Sequence, residues 1–158
     1  MPRPSRSEAS HDHRHCVAAS LSAADALARE RRLRLTPRRR EVLKIIARSH
    51  RPLGAYDVLA ALGRGGRGTP KPPTVYRALE FLLAQGLVHR IDSRNAFVAC
   101  FRPARAHRAH FFLCEICGCA SEVHSEDLGH ALGACARDAG FTVKRETVEI
   151  IGKCRNCA

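Results

Sequence analysis

The chain has 158 residues, 45% of them hydrophobic and only 5% aromatic, which suits one compact domain or two small ones with an aliphatic core. No apolar run approaches the roughly 18 residues that a membrane span needs, and residues 1–15 lack the apolar stretch of a secretory signal, so we expect a cytoplasmic protein without a membrane anchor. The net charge of +12 is concentrated in residues 1–106, with 21 basic and 8 acidic side chains against 6 and 7 in residues 107–158, which favours a polyanion-binding unit joined to a neutral one.

The first half of the chain carries helical signals. The polar, His-rich residues 1–18 predict a flexible tail, followed by a first helix over about 22–32. Thr36 is a candidate N-cap before Pro37, because proline is best tolerated in the first helical turn. A second helix is predicted to begin at Pro37, a third to cover about residues 55–62 and a fourth to cover about residues 74–85.

After these helices the hydrophobic period changes to two, and residues 87–91 and 96–101 are predicted as short strands of a hairpin. If the hairpin turn is centred on Arg94-Asn95, His89 and Cys100 are directly opposite each other. Several helices followed by a β-hairpin are typical of a winged helix-turn-helix domain, whose last helix reads the DNA major groove.

The candidate recognition helix carries the predicted DNA contacts. Tyr76 and Arg77 are the candidates for contact with bases and phosphates, because arginine can pair with guanine through two hydrogen bonds. Thr74 and Arg38 are either phosphate contacts or ordinary surface residues.

The rest of the chain predicts a small second domain. Residues 102–106, with Pro103, are expected to form a hinge. Beyond it the pattern predicts strands over 110–113 and 120–124, a helix over 125–139 and a long strand over 141–151. The fold class is therefore predicted as α+β, with a winged helix-turn-helix domain followed by a small α/β domain.

Paired cysteines provide the strongest chemical signal. In a chain without a secretion signal, they indicate metal binding rather than disulfides. Two Cys-x-x-Cys turns are the usual way to arrange four thiolates around Zn²⁺, and the 36 residues between them leave room for an inserted α/β unit. The predicted structural zinc ligands are Cys114, Cys117, Cys154 and Cys157.

A second set of ligand-type residues surrounds the hinge. One thiolate, two imidazoles and one carboxylate suit tetrahedral Zn²⁺ and would bridge both domains. Spacing alone leaves this set open, because a lone histidine is more often structural, and His110, His124 and His130 compete for the place of His107. The candidate residues are His89, Cys100, His107 and Glu122.

These motifs resemble the ferric uptake regulator family, and within it the zinc uptake regulators, over about residues 20–158. Iron- and peroxide-sensing members of this family have a His-rich run before the first Cys-x-x-Cys turn and further histidines near the last strand. Here the run is only His107-Arg108-Ala109-His110 and the last strand has no histidine, so the resemblance implies zinc rather than iron. The segments that carry the resemblance are Leu35-Thr36-Pro37-Arg38-Arg39, Lys71-Pro72-Pro73-Thr74-Val75-Tyr76-Arg77-Ala78-Leu79, Leu87-Val88-His89-Arg90, Phe97-Val98-Ala99-Cys100, Cys114-Glu115-Ile116-Cys117-Gly118 and Val148-Glu149-Ile150-Ile151-Gly152-Lys153-Cys154.

The resemblance implies a homodimer that binds double-stranded operator DNA and two Zn²⁺ ions per chain. It implies a structural ion at the four paired cysteines and a regulatory ion at the second set. The expected domains are a tail over 1–18, a winged helix over 19–101, a hinge over 102–106 and a zinc-clipped dimerisation domain over 107–158. The predicted function is a zinc-activated repressor of zinc-uptake genes.

Three alternatives stay open at this point. One is a sensor of another metal or of peroxide on the same fold, and a second is a purely structural zinc module or thiol redox switch. The third is a zinc-dependent nucleotide deaminase, suggested by His124-Ser125-Glu126 followed by Cys154-x-x-Cys157. That pattern needs proline where Lys153 stands and leaves Cys114 and Cys117 unexplained, so we expect no enzyme.

Overall fold

The computed structural model describes residues 13–65, 70–100, 103 and 109–158. Five helices and two small sheets make it an α+β protein, which confirms the predicted fold class. The elements are α1 (His13–Glu30), α2 (Pro37–Ala47), β1 (Leu53–Gly54), α3 (Ala55–Gly63), α4 (Pro72–Ala84), β2 (Val88–Ile91), β3 (Ala96–Ala99), β4 (His110–Cys114), β5 (Ala120–Val123), α5 (Glu126–Asp138) and β6 (Val148–Gly152).

Helices α1 to α4 and the sheet β1-β3-β2 enclose the larger hydrophobic core. Helix α2 begins at Pro37, and the Thr36 hydroxyl before it accepts a hydrogen bond from the Arg39 amide at 3.4 Å, as expected of an N-cap. Helix α4 begins at Pro72 and buries one face, including Val75 and Leu79, against α2 and α3. Its other face, with Thr74, Tyr76 and Arg77, is exposed.

The β2-β3 hairpin is the wing of a winged helix. A 3-10 turn, Asp92–Arg94, and a left-handed Asn95 (φ 45°) connect its strands. Asparagine tolerates this conformation better than most residues.

The second sheet has the order β5-β4-β6, with β4 antiparallel to β5 and parallel to β6. A small apolar core joins it to the wing, since Ile91 and Val98 of the hairpin pack with Phe111, Leu113 and Ala120. Helix α5 lies between β5 and β6 in the chain and buries only Gly129 among its own residues. This unit therefore leaves much of its apolar surface exposed.

Two predicted boundaries differ from the structure. The first helix begins at His13 rather than near residue 22, so residues 13–18 are helical and do not belong to a flexible tail. The last strand covers only Val148–Gly152, because residues 141–147 pair with no other strand. The predicted hinge, 102–106, lies outside the described residues apart from Pro103.

The predicted wing register was wrong by two residues. His89 is opposite Val98, and the Cys100 amide donates to the Leu87 carbonyl at 3.0 Å, so Cys100 is diagonal to His89 rather than directly across from it. The physical reason is the four-residue connection 92–95, which centres the turn one position earlier. A shift of two residues keeps both side chains on the same face, because side chains alternate with a period of two.

No helix within the described parts of the chain combines the length and apolar character that a membrane crossing requires.

Candidate metal centres and nucleic-acid interface

Four thiols meet at one edge of the second sheet. Strands β4 and β6 run parallel with Cys114 beside Gly152, so both strands end at the same edge and both lead into a Cys-x-x-Cys turn. Four sulfur atoms, one from each cysteine, all lie within 4.8 Å of one another. They belong to Cys114, Cys117, Cys154 and Cys157, and we call them the thiol cluster.

Backbone hydrogen bonds hold the two turns in place. The Gly118 amide donates to the Cys114 carbonyl at 3.0 Å, and Gly118 has a φ of +77°, which favours glycine. In the second turn the Cys157 amide donates to the Cys154 carbonyl at 2.8 Å. The Glu115 amide donates to the Gly152 carbonyl at 2.9 Å and so joins the first turn to the end of β6.

Hydrogen bonds shift the pKa values of the thiols in opposite directions. The backbone amides of Cys117 and Cys154 lower the pKa of Cys114 to about 6. Burial raises the pKa of Cys117, but hydrogen bonds with Cys119 and Cys154 lower it, and the net shift is downward. A hydrogen bond with Cys154 raises the pKa of Cys157 to about 12. The thiolate is the form that binds metals, and the hydrogen bonds around Cys114 favour that form.

Cys119 is a fifth thiol beside this cluster. Its sulfur lies 3.2 Å from that of Cys117, yet it is not a member of the mutually close group. Burial raises the pKa of Cys119, which keeps it a neutral thiol. In the structure its sulfur accepts a hydrogen bond from the Cys117 thiol.

A second cluster joins the wing to the second sheet. Ligand atoms of His89, Cys100 and Glu122 lie within 4.8 Å of one another. The His89 Nε2 is 3.5 Å from the Glu122 Oε1, and the Glu122 side chain is only 6% exposed. The Phe111 ring lies 5.5 Å from the His89 ring, and Cys100 is 2% exposed. We call this set the bridging cluster, because two ligands come from the wing and one from β5.

The fourth predicted member, His107, lies outside the described residues. Its three competitors do not join the bridging cluster among the residues that the structure describes. His110 is 2% exposed, and its Nε2 is 2.9 Å from the Glu146 Oε1. His124 and His130 are exposed.

The predicted DNA-contact residues lie on one side of the helical unit. Arg38, Thr74 and Arg77 line one shallow groove of ≈ 190 Å³ between the starts of α2 and α4. Tyr76 is 44% exposed on the outer face of α4. Arg38 also makes an ion pair with Glu41 of its own helix at 3.0 Å. The groove thus presents cations beside the exposed face of a recognition helix.

Arg39 is a groove residue that the sequence reasoning missed. Its guanidinium lies 3.6 Å from the centre of the Phe81 ring and donates to the Arg34 carbonyl at 2.5 Å. These contacts fix the cation in place at low entropic cost. Its position three residues after the N-cap Thr36, in a segment that carries the family resemblance, is a signal in the sequence that could have identified it.

The described residues do not form the arrangement that a deaminase requires. His124 and Glu126 are exposed, and neither belongs to a group of close metal ligands within the described ranges. All four paired cysteines meet in one cluster instead, which accounts for Cys114 and Cys117.

Comparisons with known proteins agree with this architecture. The zinc uptake regulation protein of Escherichia coli (strain K12) is 37% identical over 138 residues, which cover 87% of this chain and 80% of the relative. A solved structure of a zinc uptake regulator complexed with zinc and DNA superimposes with a TM-score of 0.83 at 35% identity, covering 88% of this chain and 93% of that one.

Two forms of another solved protein, XcZur, match to different degrees. The holo form has a TM-score of 0.76 at 40% identity and covers 87% of this chain and 96% of that one. The apo form has a TM-score of 0.55 at 41% identity and covers 90% and 98%. The model described as the ferric uptake regulator family matches residues 30–151. The chain therefore belongs to the ferric uptake regulator family.

Proposed function

We propose that this protein is a zinc-responsive transcriptional repressor that binds operator DNA as a homodimer and controls zinc-uptake genes. The observation that carries the proposal is the bridging cluster, in which His89 and Cys100 of the wing meet Glu122 of the second sheet. A metal site built from both units can connect metal availability to the orientation of the DNA-reading unit. The same assignment makes it a regulator rather than an enzyme.

The donor atoms fit zinc at both clusters. Four thiolates are the typical ligand set of a structural zinc, and a thiolate with an imidazole and a carboxylate suits zinc better than a hard, oxygen-preferring ion. Zinc binding by this chain is supported by its similarity to zinc uptake regulators, one of them solved with zinc and DNA, and by both clusters. The finer proposal is two ions per chain, with His107 completing the bridging cluster.

Each half of the chain has a distinct task. The basic unit supplies affinity for phosphates, which makes binding strongly dependent on salt. Tyr76 and Arg77 of α4 contact bases and phosphates in the major groove, and Thr74 and Arg38 contact phosphate beside it. A protein with this task acts in the cytoplasm.

The second sheet supplies the dimer contact. Its outer side exposes Phe112 and Ile150, which lie next to each other on paired strands, and Phe141 is also exposed nearby in the chain. A monomer rarely leaves such an apolar surface uncovered, and a second copy of this chain would cover it. Two recognition helices then read half-sites at a spacing that the dimer fixes.

Bound at the bridging cluster, zinc would supply a cross-link between the wing and the second sheet. His89, Cys100 and Glu122 would thereby favour the orientation that matches the operator, and by linkage DNA would tighten zinc binding equally. The larger TM-score against holo than against apo XcZur supports the view that this structure has the binding-competent orientation.

The domain division predicted from the sequence is part of this proposal, except that the winged-helix domain begins at His13, the start of α1. The winged helix then reaches residue 101, the hinge covers 102–106 and the dimerisation domain covers 107–158.

The test uses a duplex selected from a random-sequence library by the zinc-loaded protein. We expect its affinity for the protein to rise with buffered free zinc and to respond less to manganese or iron. Equal affinity with the bridging cluster filled and empty would refute the proposal, and a stronger response to another metal or to peroxide would assign the protein to the alternative sensor class.

A further inference from the structure

The wing turn is bound to the second sheet by polar contacts that do not involve any metal ligand side chain. These contacts approach the turn from two directions and cross between units that are distant in the chain. This raises the question of what holds the bridging cluster together before a metal arrives.

Arg94 provides the contacts on one side. Its Nη1 donates to the Gly118 carbonyl at 2.8 Å and its Nη2 donates to the Cys114 carbonyl at 3.1 Å. The guanidinium is half-buried and spans both ends of the first Cys-x-x-Cys turn. Such a planar, two-pronged donor fixes orientation as well as distance.

Glu149 of β6 provides the contacts on the other side. Its two carboxylate oxygens accept hydrogen bonds from the Asp92 amide at 2.6 Å and the Ser93 amide at 3.2 Å. Both amides stand at the start of the 3-10 turn, where amides need a partner from outside the turn, and Glu149 supplies it. Arg145 adds an ion pair with the Asp92 side chain.

These contacts join the same two elements that carry the ligands of the bridging cluster. His89 and Cys100 lie on the two arms of the hairpin whose turn Arg94 and Glu149 hold. Glu122 lies on β5, in the sheet that contains the acceptors. Holding the turn against that sheet therefore keeps the wing ligands close to the carboxylate.

We propose that Arg94 and Glu149 are positioning residues that hold the wing turn against the second sheet and so preassemble the bridging cluster for its metal. This rests on the proposed function, because the cluster is taken to be the regulatory site. The fold then already holds the ligands close together, so less conformational entropy is lost when the metal binds. The metal affinity is therefore higher than that of three side chains whose positions the fold does not restrict. Since the acceptors of Arg94 are carbonyls of the first Cys-x-x-Cys turn, the thiol cluster also contributes to the regulatory affinity.

The test compares Arg94→Gln and Glu149→Gln with Arg90→Gln as the matched control. Arg90 is on the same hairpin and carries the same charge, but its contacts, to Asp92 at 3.2 Å and Asn95 at 3.0 Å, stay within the hairpin. Zinc affinity is measured without DNA by competition with a coloured chelator of known affinity. The free zinc that gives half-maximal binding to the selected duplex is measured separately.

We expect Arg94→Gln to weaken the regulatory affinity by about tenfold, within the range usual for coupling between sites. Glu149→Gln should weaken it less, because the amide oxygen still accepts one hydrogen bond. Both variants should retain the thiol-bound ion and reach the wild-type DNA affinity at saturating zinc, whereas Arg90→Gln should behave as wild type.

Three results would overturn the inference: an unchanged zinc affinity in both variants, an equal shift in Arg90→Gln, or loss of DNA binding that saturating zinc does not restore. A wild-type protein whose DNA binding ignores zinc would instead defeat the proposed function itself.

Discussion

The thiol cluster and the bridging cluster are built differently, although both gather metal-binding atoms within 4.8 Å. The thiol cluster lies within one unit, on two turns that follow paired parallel strands and are joined by backbone hydrogen bonds. The bridging cluster takes its described ligands from two units and depends on the orientation of the wing. A metal site within one unit stabilises the fold of that unit. A metal site between two units can instead respond to its ligand by changing the orientation of one unit relative to the other.

The largest expected effect follows from breaking the thiol cluster. Cys117→Ser should remove one zinc ion and destabilise the second sheet, because the apparent binding free energy of a structural zinc, about 10–16 kcal/mol in small domains, contributes directly to folding. Zinc content and amide hydrogen exchange over residues 109–158 measure this. Cys135→Ser, at an exposed cysteine of α5, is the control. A variant that loses the ion but keeps native protection would show that the cluster is not structural.

Breaking the bridging cluster should instead leave the fold intact. We expect His89→Ala to abolish the zinc response of DNA binding, which for a coupled site amounts to about 5–150-fold in affinity. His130→Ala, at an exposed histidine of α5, should respond as wild type. A normal zinc response in His89→Ala would support the purely structural zinc module.

Substitutions of the predicted DNA-contact residues should lower the affinity for DNA without changing zinc binding. Arg77→Ala should weaken binding to the selected duplex by about 1–3 kcal/mol and leave the zinc content unchanged. The control is Glu80→Ala, on the same helix and also exposed, which should not weaken binding. If Arg77→Ala changed the zinc affinity measured without DNA, the DNA face and the bridging cluster would not be separate.

The smallest effect is expected at the ion pair between Asp25 of α1 and Arg40 of α2, which includes no member of either cluster. The hydrogen bond from Arg40 lowers the pKa of Asp25 below its ordinary value of 3.8. Stability from this pair is therefore fully present above pH 3.8 and is lost as the pH falls through the lowered pKa.

Because the pair is largely exposed, Asp25→Asn should lower the free energy of unfolding by only about 0.2–1 kcal/mol at neutral pH. Urea unfolding at pH 7 and at pH 2.5 measures this. The difference from wild type should shrink at the lower pH. A difference that grows there would contradict the sign of the shift.

Local patterns made much of this architecture predictable. The two Cys-x-x-Cys turns predicted the members of the thiol cluster, and the parallel pairing of β4 with β6 explains why turns 36 residues apart meet. The apolar spacing of Val75, Leu79, Leu82 and Leu83 also predicts a buried face on α4. The first three are buried and Leu83 is half-buried.

Other features depended on details that residue patterns do not encode. The hairpin register followed from a 3-10 turn that the strand pattern did not indicate. Arg94 and Glu149 act on backbone carbonyls and amides 20 to 57 residues away, and such partners leave no signature in composition or spacing.

The measurement that tests the account most directly is the number of zinc ions per folded chain in the wild type and in Cys100→Ala. Our account predicts two ions in the wild type and one in the variant, with unchanged circular dichroism and with zinc-dependent DNA binding lost. Two ions in both proteins, or a single ion in the wild type, would contradict a sensing site that spans the two units.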